Sequence, residues 1–432
     1  MEKIIPVERL SIGMHVVALD RSWLETNFLF HRFRVNSQDD IEKLRENGIR
    51  KVTIELPDAS PEHGISDEGR QSGEPDPGKK MEAPPMREIG LPPSSKIQDW
   101  MALQNKTVNI VKKSFDDVRM GETFHVDPLR QQVVETIECT LKDPQSTLYL
   151  LALSENDDET YVHSINTMVL TLGLAAMFEI APEEQVRWGL AALLHDIGKA
   201  FIPHEILKKP GHFSELEWLT IKKHPSLGYS LLSRNKDETV RGLCATVALE
   251  HHERGGGTGY PSGLDLPDLN ALSRLFMAVD IYEALTAGRV YRTPASPAKT
   301  LSYLLETARG GQIDPGSVSR LIHLVGVYPV GSFVELMDQR IGMITSYENP
   351  DRHDGKVGLL ILFESLNHPV PEPSLEVLPS IDRTTVRKTY FHQDVGLSHA
   401  QVSDYLLHYN SGKDQRAAKF GLEKIKMAEQ HF

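Results

Sequence analysis

The sequence predicts a mainly α-helical protein with a small β-rich N-terminal module and a β extension on its C-terminal side. Apolar residues recur at helical spacing from about residue 128 to residue 325, with Gly and Pro between the segments. Short apolar runs alternate with turn residues over 1–57, and the same alternation returns after Val325. A chain of 432 residues is long enough for two or three domains.

Composition is that of an ordinary water-soluble protein, with 40% hydrophobic and 25% charged residues. The formal net charge of −13 argues against non-specific nucleic-acid binding, although it does not exclude an anionic ligand held in a local pocket. The first residues lack the apolar stretch of a signal peptide, and the longest apolar run, 168–178, is too short to span a membrane. We therefore expect a cytoplasmic protein without a membrane span.

The first 127 residues divide into three segments of different composition. Residues 1–57 predict a small β-rich or α+β module, whereas residues 58–96 are rich in Pro, Glu, Ser, Gly and Asp and predict a disordered linker. Residues 97–127 predict a connecting helix whose apolar side chains, Trp100 and Phe115 among them, lie roughly on one face. That face indicates either a stalk or dimerisation helix or a helix packed on the following domain.

The remaining chain predicts a helical domain over 128–325, a β extension over 326–380 and a mostly helical tail over 381–432. Both cysteines, Cys139 and Cys244, fall in helical and partly apolar stretches. We therefore expect them to be small core residues rather than a disulfide or thiolate ligands.

One helix of this domain carries a histidine and an aspartate side by side at its polar end. Pro182 marks the start of the helix, and apolar residues then recur at helical spacing to Leu193, just before His195 and Asp196. An ionised Asp on a buried helix costs several kcal/mol unless a partner compensates its charge. A metal ion would do so, with the imidazole as a second ligand. The alternative is that His195 bonds locally while Asp196 faces solvent.

Further potential metal ligands are spread over the same domain. Glu159 and His163 are four residues apart and would lie on one face of a helix. His251 continues an apolar stripe at helical spacing, and Asp280 lies in an apolar helix where an unpaired carboxylate is costly. Asp280 could instead be a capping or ion-paired acid. Together with His224 and His252, these residues could supply the ligands of a metal cluster.

Residues 130–330 closely resemble the HD-GYP domains, a branch of the HD phosphohydrolases. The HD element runs from His195 to Lys199 and the GYP element from His251 to Pro261. The resemblance implies a helical HD-type metal phosphohydrolase fold that hydrolyses cyclic di-GMP to linear pGpG, with further hydrolysis to GMP left open. Residues 13–24 resemble a module often found ahead of HD-GYP domains, which implies little about function.

Five neutral imidazoles and three carboxylates are more ligands than one metal ion needs. They suit two octahedral first-row ions, Fe or Mn, bridged by Asp196 and a hydroxide, whereas Zn favours fewer ligands. In some HD-GYP members a Glu one turn before the first His binds a third ion, and Glu159 occupies that place. We therefore expect two or three divalent ions. The predicted metal ligands are Glu159, His163, His195, Asp196, His224, His251, His252 and Asp280.

The resemblance also implies residues that act on the substrate. Asp196 and Lys199 are the predicted catalytic residues, with Lys199 stabilising charge on the phosphate as a point charge. Arg289 and Arg292 stand at the substrate-contact positions of the family, where arginine suits bidentate contacts to phosphate or a guanine edge. Both could instead be surface arginines near a helix end. Tyr260 is predicted to stack on a base or to shape the loop.

One position departs from the family. Gly256 stands where the GYP element usually carries Asp, so three consecutive glycines predict a more flexible loop with one acid fewer. This change mildly favours a second hypothesis, a slow or inactive receptor for cyclic di-GMP. A third hypothesis is an HD hydrolase of another cyclic dinucleotide. Family members also use this loop to contact diguanylate cyclase-type domains, and we take a homodimer as the expected oligomeric state.

Overall fold

The computed structural model describes residues 2–11, 14–19, 33–35, 41–42, 44–45, 49–55, 94–142, 151, 159–178, 180–209, 211–287, 295–349, 354–382, 384–397 and 401. The chain forms two compact units, Met1–Arg87 and Glu88–Phe432. Most of the predicted linker over 58–96 and most of the tail after residue 397 lie outside the described residues.

The first unit contains a small antiparallel sheet. Its strands are β1 (Glu2–Pro6), β2 (His15–Leu19), β3 (Phe33–Arg34) and β4 (Lys51–Glu55), hydrogen-bonded in the order β1-β4-β2-β3. Val16, Val52 and Ile54 contribute to one buried core together with Leu44 from outside the sheet. The β-rich N-terminal module predicted from the sequence is confirmed.

The second unit is mainly helical, as the sequence predicts. In chain order its described helices are α1 (Ser94–Arg119), α2 (Val126–Lys142), α3 (Glu159–Met177), α4 (Pro182–Leu194), α5 (His204–Leu207), α6 (Glu215–Ile221), α7 (His224–Leu232), α8 (Ala245–Glu250), α9 (Ala271–Thr286), α10 (Pro297–Arg309) and α11 (Pro315–Val325). Among these described helices, none has the combination of length and apolar character that crossing a bilayer requires.

The long helix α1 packs against α2 and α3 of the helical unit. Its apolar face is buried, and the Phe115 ring meets the Tyr161 ring edge-on with centroids 5.2 Å apart. The Thr107 hydroxyl on the same face donates to the Gln132 side chain of α2 at 3.3 Å. The sequence leaves open whether this helix is a stalk or dimerisation helix or packs on the following domain. The structure shows it packed on that domain.

A second antiparallel sheet follows the helices. Its strands are β5 (Phe333–Leu336), β6 (Ile341–Asn349), β7 (Asp354–Ser365), β8 (His368–Leu378) and β9 (Val386–Tyr390), in the order β8-β7-β6-β5-β9. The expected β extension is confirmed. The prediction of a mostly helical tail from residue 381 is wrong for β9, which pairs with β5. Val386 and Tyr390 are buried four residues apart, a spacing that also fits a helix, and the pairing decides between the two.

The two cysteines differ in their environments. Cys244 is buried, as predicted, but Cys139 on α2 is exposed, so its assignment to the core is wrong. Gln132, Val133, Thr136 and Ile137 supply the buried face of that part of α2, and Cys139 lies at the edge of this face, beyond Ile137, the last buried residue described on the helix.

Candidate active site

The HD element lies where α4 ends. The helix stops at Leu194, His195 and Asp196 form a turn, and a short 3₁₀ helix continues from Ile197 to Phe201. Both side chains are buried, at 0% and 1% exposure. A Cβ on Gly198 would lie 2.0 Å from the carbonyl oxygen of His224, so only glycine allows α7 to approach this closely. Gly198 thereby brings the first residue of α7 against the HD element.

Backbone carbonyls orient three of the buried imidazoles. His195, His224 and His251 each bond through Nδ1 to the carbonyl oxygen three residues earlier, at 2.7, 2.7 and 2.9 Å respectively. Because the carbonyl can only accept, each Nδ1 carries the proton and each Nε2 presents a lone pair. Each of these residues directly follows or begins a helix, where the local chain positions the ring without help from distant side chains.

The three Nε2 atoms converge on the Asp196 carboxylate. The distances to the nearer carboxylate oxygen are 3.3 Å from His195, 3.2 Å from His224 and 3.8 Å from His251. The Nε2 atoms of His224 and His251 are only 3.2 Å apart, although both rings already use their proton at Nδ1. Two facing lone pairs repel each other, and a cation bound by both removes that repulsion.

A second part of the cluster joins α3 to α9. Nε2 of His163 lies 3.0 Å from Asp280 Oδ1 and 3.8 Å from Asp196 Oδ2. Nδ1 of the same ring contacts the Glu283 carboxylate, which also accepts a hydrogen bond of 2.9 Å from the Asn166 side chain. We did not single out Glu283 or Asn166 from the sequence. The available signal was that Glu283 lies three residues after Asp280 and so shares its face of α9.

The two aspartates of the cluster remain ionised. Burial raises the pKa of Asp196, but Lys199 and His195 outweigh burial and hold that pKa well below its usual value. Burial likewise raises the pKa of Asp280, and the contact with His163 outweighs it and lowers the pKa well below the usual value. The buried cluster therefore contains two carboxylates that remain negatively charged.

The histidines divide into two electrostatic classes. Burial and the neighbouring imidazoles lower the pKa of His251 and His252 well below the usual value, so both rings are neutral. Burial also lowers the pKa of His163, but Glu283 and Asp280 outweigh burial and raise it to about 9. The surroundings of His163 thus favour positive charge, which is the electrostatic condition for binding a cation.

The described side chains include three sets that bring three ligand atoms within 4.8 Å of one another, and these sets could hold metal ions. Within the described part of the chain, His195 Nε2 and Asp196 Oδ1 are buried without a hydrogen-bond partner, so the donors fit a metal centre. The sets are His163 with His195 and Asp280, His195 with Asp196 and His251, and His224 with His251 and His252.

Lys199 and Tyr260 flank this cluster. The Lys199 ammonium contacts the Asp196 carboxylate, and its side chain keeps 19% exposure. The Tyr260 ring lies 4.8 Å from the His252 ring, centroid to centroid. Burial and the Asp280 carboxylate raise the pKa of the Tyr260 hydroxyl, which therefore stays protonated.

The loop of the GYP element is fixed by a buried acid. The carboxylate of Glu253, fully buried, accepts backbone N–H bonds from Ser262 at 2.7 Å and from Leu264 at 3.0 Å. A Cβ on Gly259 would lie 2.4 Å from the Glu253 Cα, so this glycine permits the chain to double back. The loop therefore closes on itself beside His252.

Two backbone amides of the glycine run, for which the sequence predicts flexibility, make hydrogen bonds in the structure. The Gly255 amide donates to the Gln312 carbonyl at 2.9 Å, and the Gly256 amide donates to the Asp265 carboxylate at 2.8 Å. Gly256 adopts φ of +70°, the left-handed region that glycine enters at little cost. The Asp265 carboxylate thus binds the backbone of residue 256, the position at which the family usually carries Asp.

The structure brings together most of the residues predicted for the metal site. They are His163, His195, Asp196, His224, His251, His252 and Asp280, with Lys199 and Tyr260 beside them. Glu159 begins α3, one turn before His163, but its side chain lies outside the described part. Arg289 and Arg292 also lie outside the described residues.

Comparison with known proteins identifies the family of this chain. The HD domain family matches residues 151–316, and a domain family of unknown function matches residues 2–129. A cyclic di-GMP phosphodiesterase of Pseudomonas aeruginosa is 34% identical over 347 residues, which cover 80% of this chain and 81% of the relative. This chain belongs to the HD-GYP family. The resemblance inferred from the HD and GYP elements is confirmed.

Two further proteins are similar to this chain over a shorter stretch or at a lower identity. The cyclic di-GMP phosphodiesterase response regulator RpfG of Xanthomonas campestris pv. campestris is 39% identical over 141 residues, covering 32% of this chain and 37% of the relative. Among solved structures, an HDG"Y"P protein from Bdellovibrio bacteriovorus matches with a TM-score of 0.44 and 17% identity, covering 74% of this chain and 98% of that chain.

Proposed function

We propose that this protein is a metal-dependent phosphodiesterase that hydrolyses cyclic di-GMP to linear pGpG, with GMP as a further product. The convergence of three imidazole Nε2 atoms on the buried Asp196 carboxylate carries the proposal, because such a group of donors could hold divalent cations in an HD-GYP chain. The relatives' names supply the substrate, since the Pseudomonas and Xanthomonas proteins are both cyclic di-GMP phosphodiesterases.

The donor set supports two ions that share Asp196. One would be held by His163, His195 and Asp280, and the other by His224, His251 and His252. Nitrogen and carboxylate donors without thiolates suit Fe or Mn better than Zn. Glu159, at the start of α3, is the proposed ligand of a third ion.

Divalent ions bound there would lower the pKa of a water molecule and neutralise charge on the phosphate oxygens. The protein's own residues prepare the site for this chemistry. Asp196 stays ionised although it is buried, and Lys199 beside it places a positive charge where the phosphate would lie. A fixed ammonium at that position stabilises the extra negative charge of the transition state without reorganisation.

The substrate also needs contacts outside the metal cluster. We assign Arg289 and Arg292 to phosphate or guanine contacts, and Tyr260 to the wall of the pocket beside His252. The GYP loop is the proposed contact for diguanylate cyclase-type domains, and we retain a homodimer as the proposed oligomeric state.

The test is turnover of cyclic di-GMP by anaerobically purified protein reconstituted with Fe(II) or Mn(II), with the metal counted on the same sample. Formation of pGpG with two or three ions per chain, abolished in His195→Ala and Asp196→Ala, is the expected result. Tight binding of cyclic di-GMP at full metal occupancy without turnover would identify a receptor instead. Faster turnover of another cyclic dinucleotide would reassign the substrate.

A further inference from the structure

A row of aromatic rings leads from the metal cluster to the protein surface. The His252 ring lies 4.8 Å from the Tyr260 ring, and the Tyr260 ring meets the Trp218 ring edge-on with centroids 6.4 Å apart. Phe213 then lies nearly parallel to Trp218, with an interplanar angle of 12° and centroids 6.4 Å apart. This aromatic row, His252-Tyr260-Trp218-Phe213, connects a predicted metal ligand with side chains that solvent can reach.

A lysine lies between the two central rings of the aromatic row. The Lys222 ammonium is 5.6 Å from the centre of the Trp218 ring and 5.1 Å from the centre of the Tyr260 ring. Both distances are within the range of cation–π attraction. The Trp218 side chain is nevertheless 43% exposed, so a large apolar ring that Tyr260 separates from His252 is in part available to a ligand.

The local sequence holds Trp218 in place. Ser214 and Glu217 form a capping box at the start of α6, in which the Ser214 hydroxyl accepts from the Glu217 amide and the Glu217 carboxylate accepts from the Ser214 amide. The Lys209 ammonium also donates to Glu217 at 2.6 Å. These bonds fix the first turn of the helix and therefore the position of the ring at residue 218.

An exposed tryptophan beside a lysine matches the chemistry of a purine base. Aromatic rings stack on nucleobases, and an ammonium group is a donor for the O6 and N7 acceptors of guanine. We propose that Trp218 and Lys222 form a guanine subsite of the substrate pocket, in which Trp218 stacks on one base and Lys222 bonds its O6/N7 edge. This inference rests on the proposed function, because the phosphate of that nucleotide would lie in the metal cluster.

The same helix also presents aliphatic side chains to solvent. Leu216 is 78% exposed and Leu219 is 50% exposed, and such a surface suits a protein partner. The continuity of Trp218 with Tyr260 and His252, and the cation between the rings, favour the nucleotide. The experiment below separates the two occupants.

The test compares substrates with and without a base, using the Mn(II)-loaded full chain. The ratio of kcat/KM for cyclic di-GMP to that for bis(p-nitrophenyl) phosphate should fall about tenfold in Trp218→Ala, because one base loses its stacking partner. Trp218→Phe should retain most of the ratio. Lys222→Met should lower the preference for cyclic di-GMP over cyclic di-AMP about tenfold, because adenine lacks the O6 acceptor.

Leu216→Ala is the control, since it removes a more exposed apolar side chain from the same helix, and its ratio should stay within about twofold of the wild type. Equal ratios in Trp218→Ala and Leu216→Ala would overturn the subsite and favour a partner surface. A parallel loss on both substrates in Trp218→Ala would overturn it as well, since that pattern indicates a general structural role.

A binding measurement separates this inference from the proposed function. Cyclic di-GMP is titrated calorimetrically into the Mn(II)-loaded Lys199→Ala protein, with and without Trp218→Ala. If the wild type shows no turnover but Trp218→Ala weakens binding about tenfold, the proposed function fails and the subsite stands. If Trp218→Ala leaves the affinity unchanged, or if cyclic di-GMP does not bind at all, the subsite fails.

Discussion

The Glu283 carboxylate accepts the Nδ1 proton of His163, a residue 120 positions earlier in the chain. His195, His224 and His251 instead use backbone carbonyls for the same purpose. A carboxylate partner makes an imidazole a stronger metal ligand and fixes its orientation. We therefore expect Glu283→Gln to weaken metal binding about 10- to 100-fold, measured by Mn(II) titration of the metal-free protein.

Glu250→Gln is the control for that substitution. Glu250 is also buried, but its carboxylate accepts the Asn270 backbone amide at 2.9 Å and is not hydrogen-bonded to an imidazole of the described residues. Glu250→Gln should lower folding stability without altering Mn(II) affinity. If Glu283→Gln and Glu250→Gln have the same Mn(II) affinity, the role assigned to Glu283 is wrong.

Lys199 should contribute to the rate but not to metal retention. Its ammonium contacts Asp196 and carries no lone pair for a metal ion. Lys199→Ala is expected to slow turnover of cyclic di-GMP about 100-fold or more, because a fixed donor to the transition state is lost, while the metal count stays at the wild-type value. Steady-state kinetics and metal analysis on one sample check this, with exposed Lys208→Ala as the control. Loss of metal in Lys199→Ala would contradict it.

The contact between Gly198 and α7 should make position 198 intolerant of any side chain. An alanine Cβ there would collide with the carbonyl oxygen of His224 at 2.0 Å and with the amide nitrogen of Gly228 at 2.6 Å. Gly198→Ala is expected to destabilise the protein by about 1–3 kcal/mol or more, because backbone atoms cannot move aside as a side chain can. Denaturant unfolding measures the change.

Gly242 provides a matched glycine, because a Cβ there would meet no atom within 4 Å. Gly242→Ala should leave stability unchanged or raise it by up to about 1 kcal/mol, since alanine restricts the unfolded chain. A stability loss of similar size in Gly198→Ala and Gly242→Ala would show that the close approach to α7 is not the cause.

The GYP loop should accept the family's Asp at position 256. Gly256 has φ of +70° and open space around its Cα, so an aspartate there costs only about 1–2 kcal/mol of backbone strain. We expect Gly256→Asp to fold and to keep turnover within about threefold of the wild type, because the Asp265 bond to the amide of residue 256 is retained.

At Gly259, in the same loop, a side chain should not be tolerated. A Cβ at Gly259 would lie 2.3 Å from the Arg254 amide nitrogen, so Gly259→Ala should displace Tyr260 and raise KM for cyclic di-GMP. Steady-state kinetics with limited proteolysis of both variants compares the two positions. Normal kinetics in Gly259→Ala would contradict the close packing of the loop.

Removal of metal should destabilise the folded protein. Ions that bind the cluster and not the unfolded chain stabilise the fold by about 2.7 kcal/mol when present at 100 times their Kd. EDTA should therefore lower Tm and excess Mn(II) should restore it, as measured by differential scanning calorimetry. Asp196→Asn, which removes the shared anionic ligand, should abolish the response to Mn(II), and an undiminished response would contradict the assignment of that ligand.

Residues whose role depends on local spacing could be predicted from the sequence. His195 and Asp196 end an amphipathic helix that begins at Pro182, and His251 continues the buried stripe of Val240, Cys244 and Val247. For His251, helical periodicity alone predicts that the side chain points inward. For His195 and Asp196, the sequence left open a solvent-facing Asp196, and the burial of both side chains in the structure decides against it.

Residues whose role depends on a distant partner could not be predicted in this way. Nothing near Glu283 in the sequence indicates that its carboxylate meets His163, because the contact exists only after α3 and α9 pack together. Glu253 similarly resembles a solvent-exposed acid until the loop folds over it. Trp218 is one of four tryptophans, and only its neighbours distinguish it from an ordinary surface residue.

The long separation between His163 and Glu283 also affects the order in which the site is built during synthesis. His163 leaves the ribosome 120 residues before its partner, and the entropy cost of closing that loop is met only when the two segments pack together. A nascent chain that ends before α9 lacks both Asp280 and Glu283, and so lacks two of the three carboxylates described in the cluster. Complete metal loading therefore reports that translation has passed Thr286 and that α9 has docked.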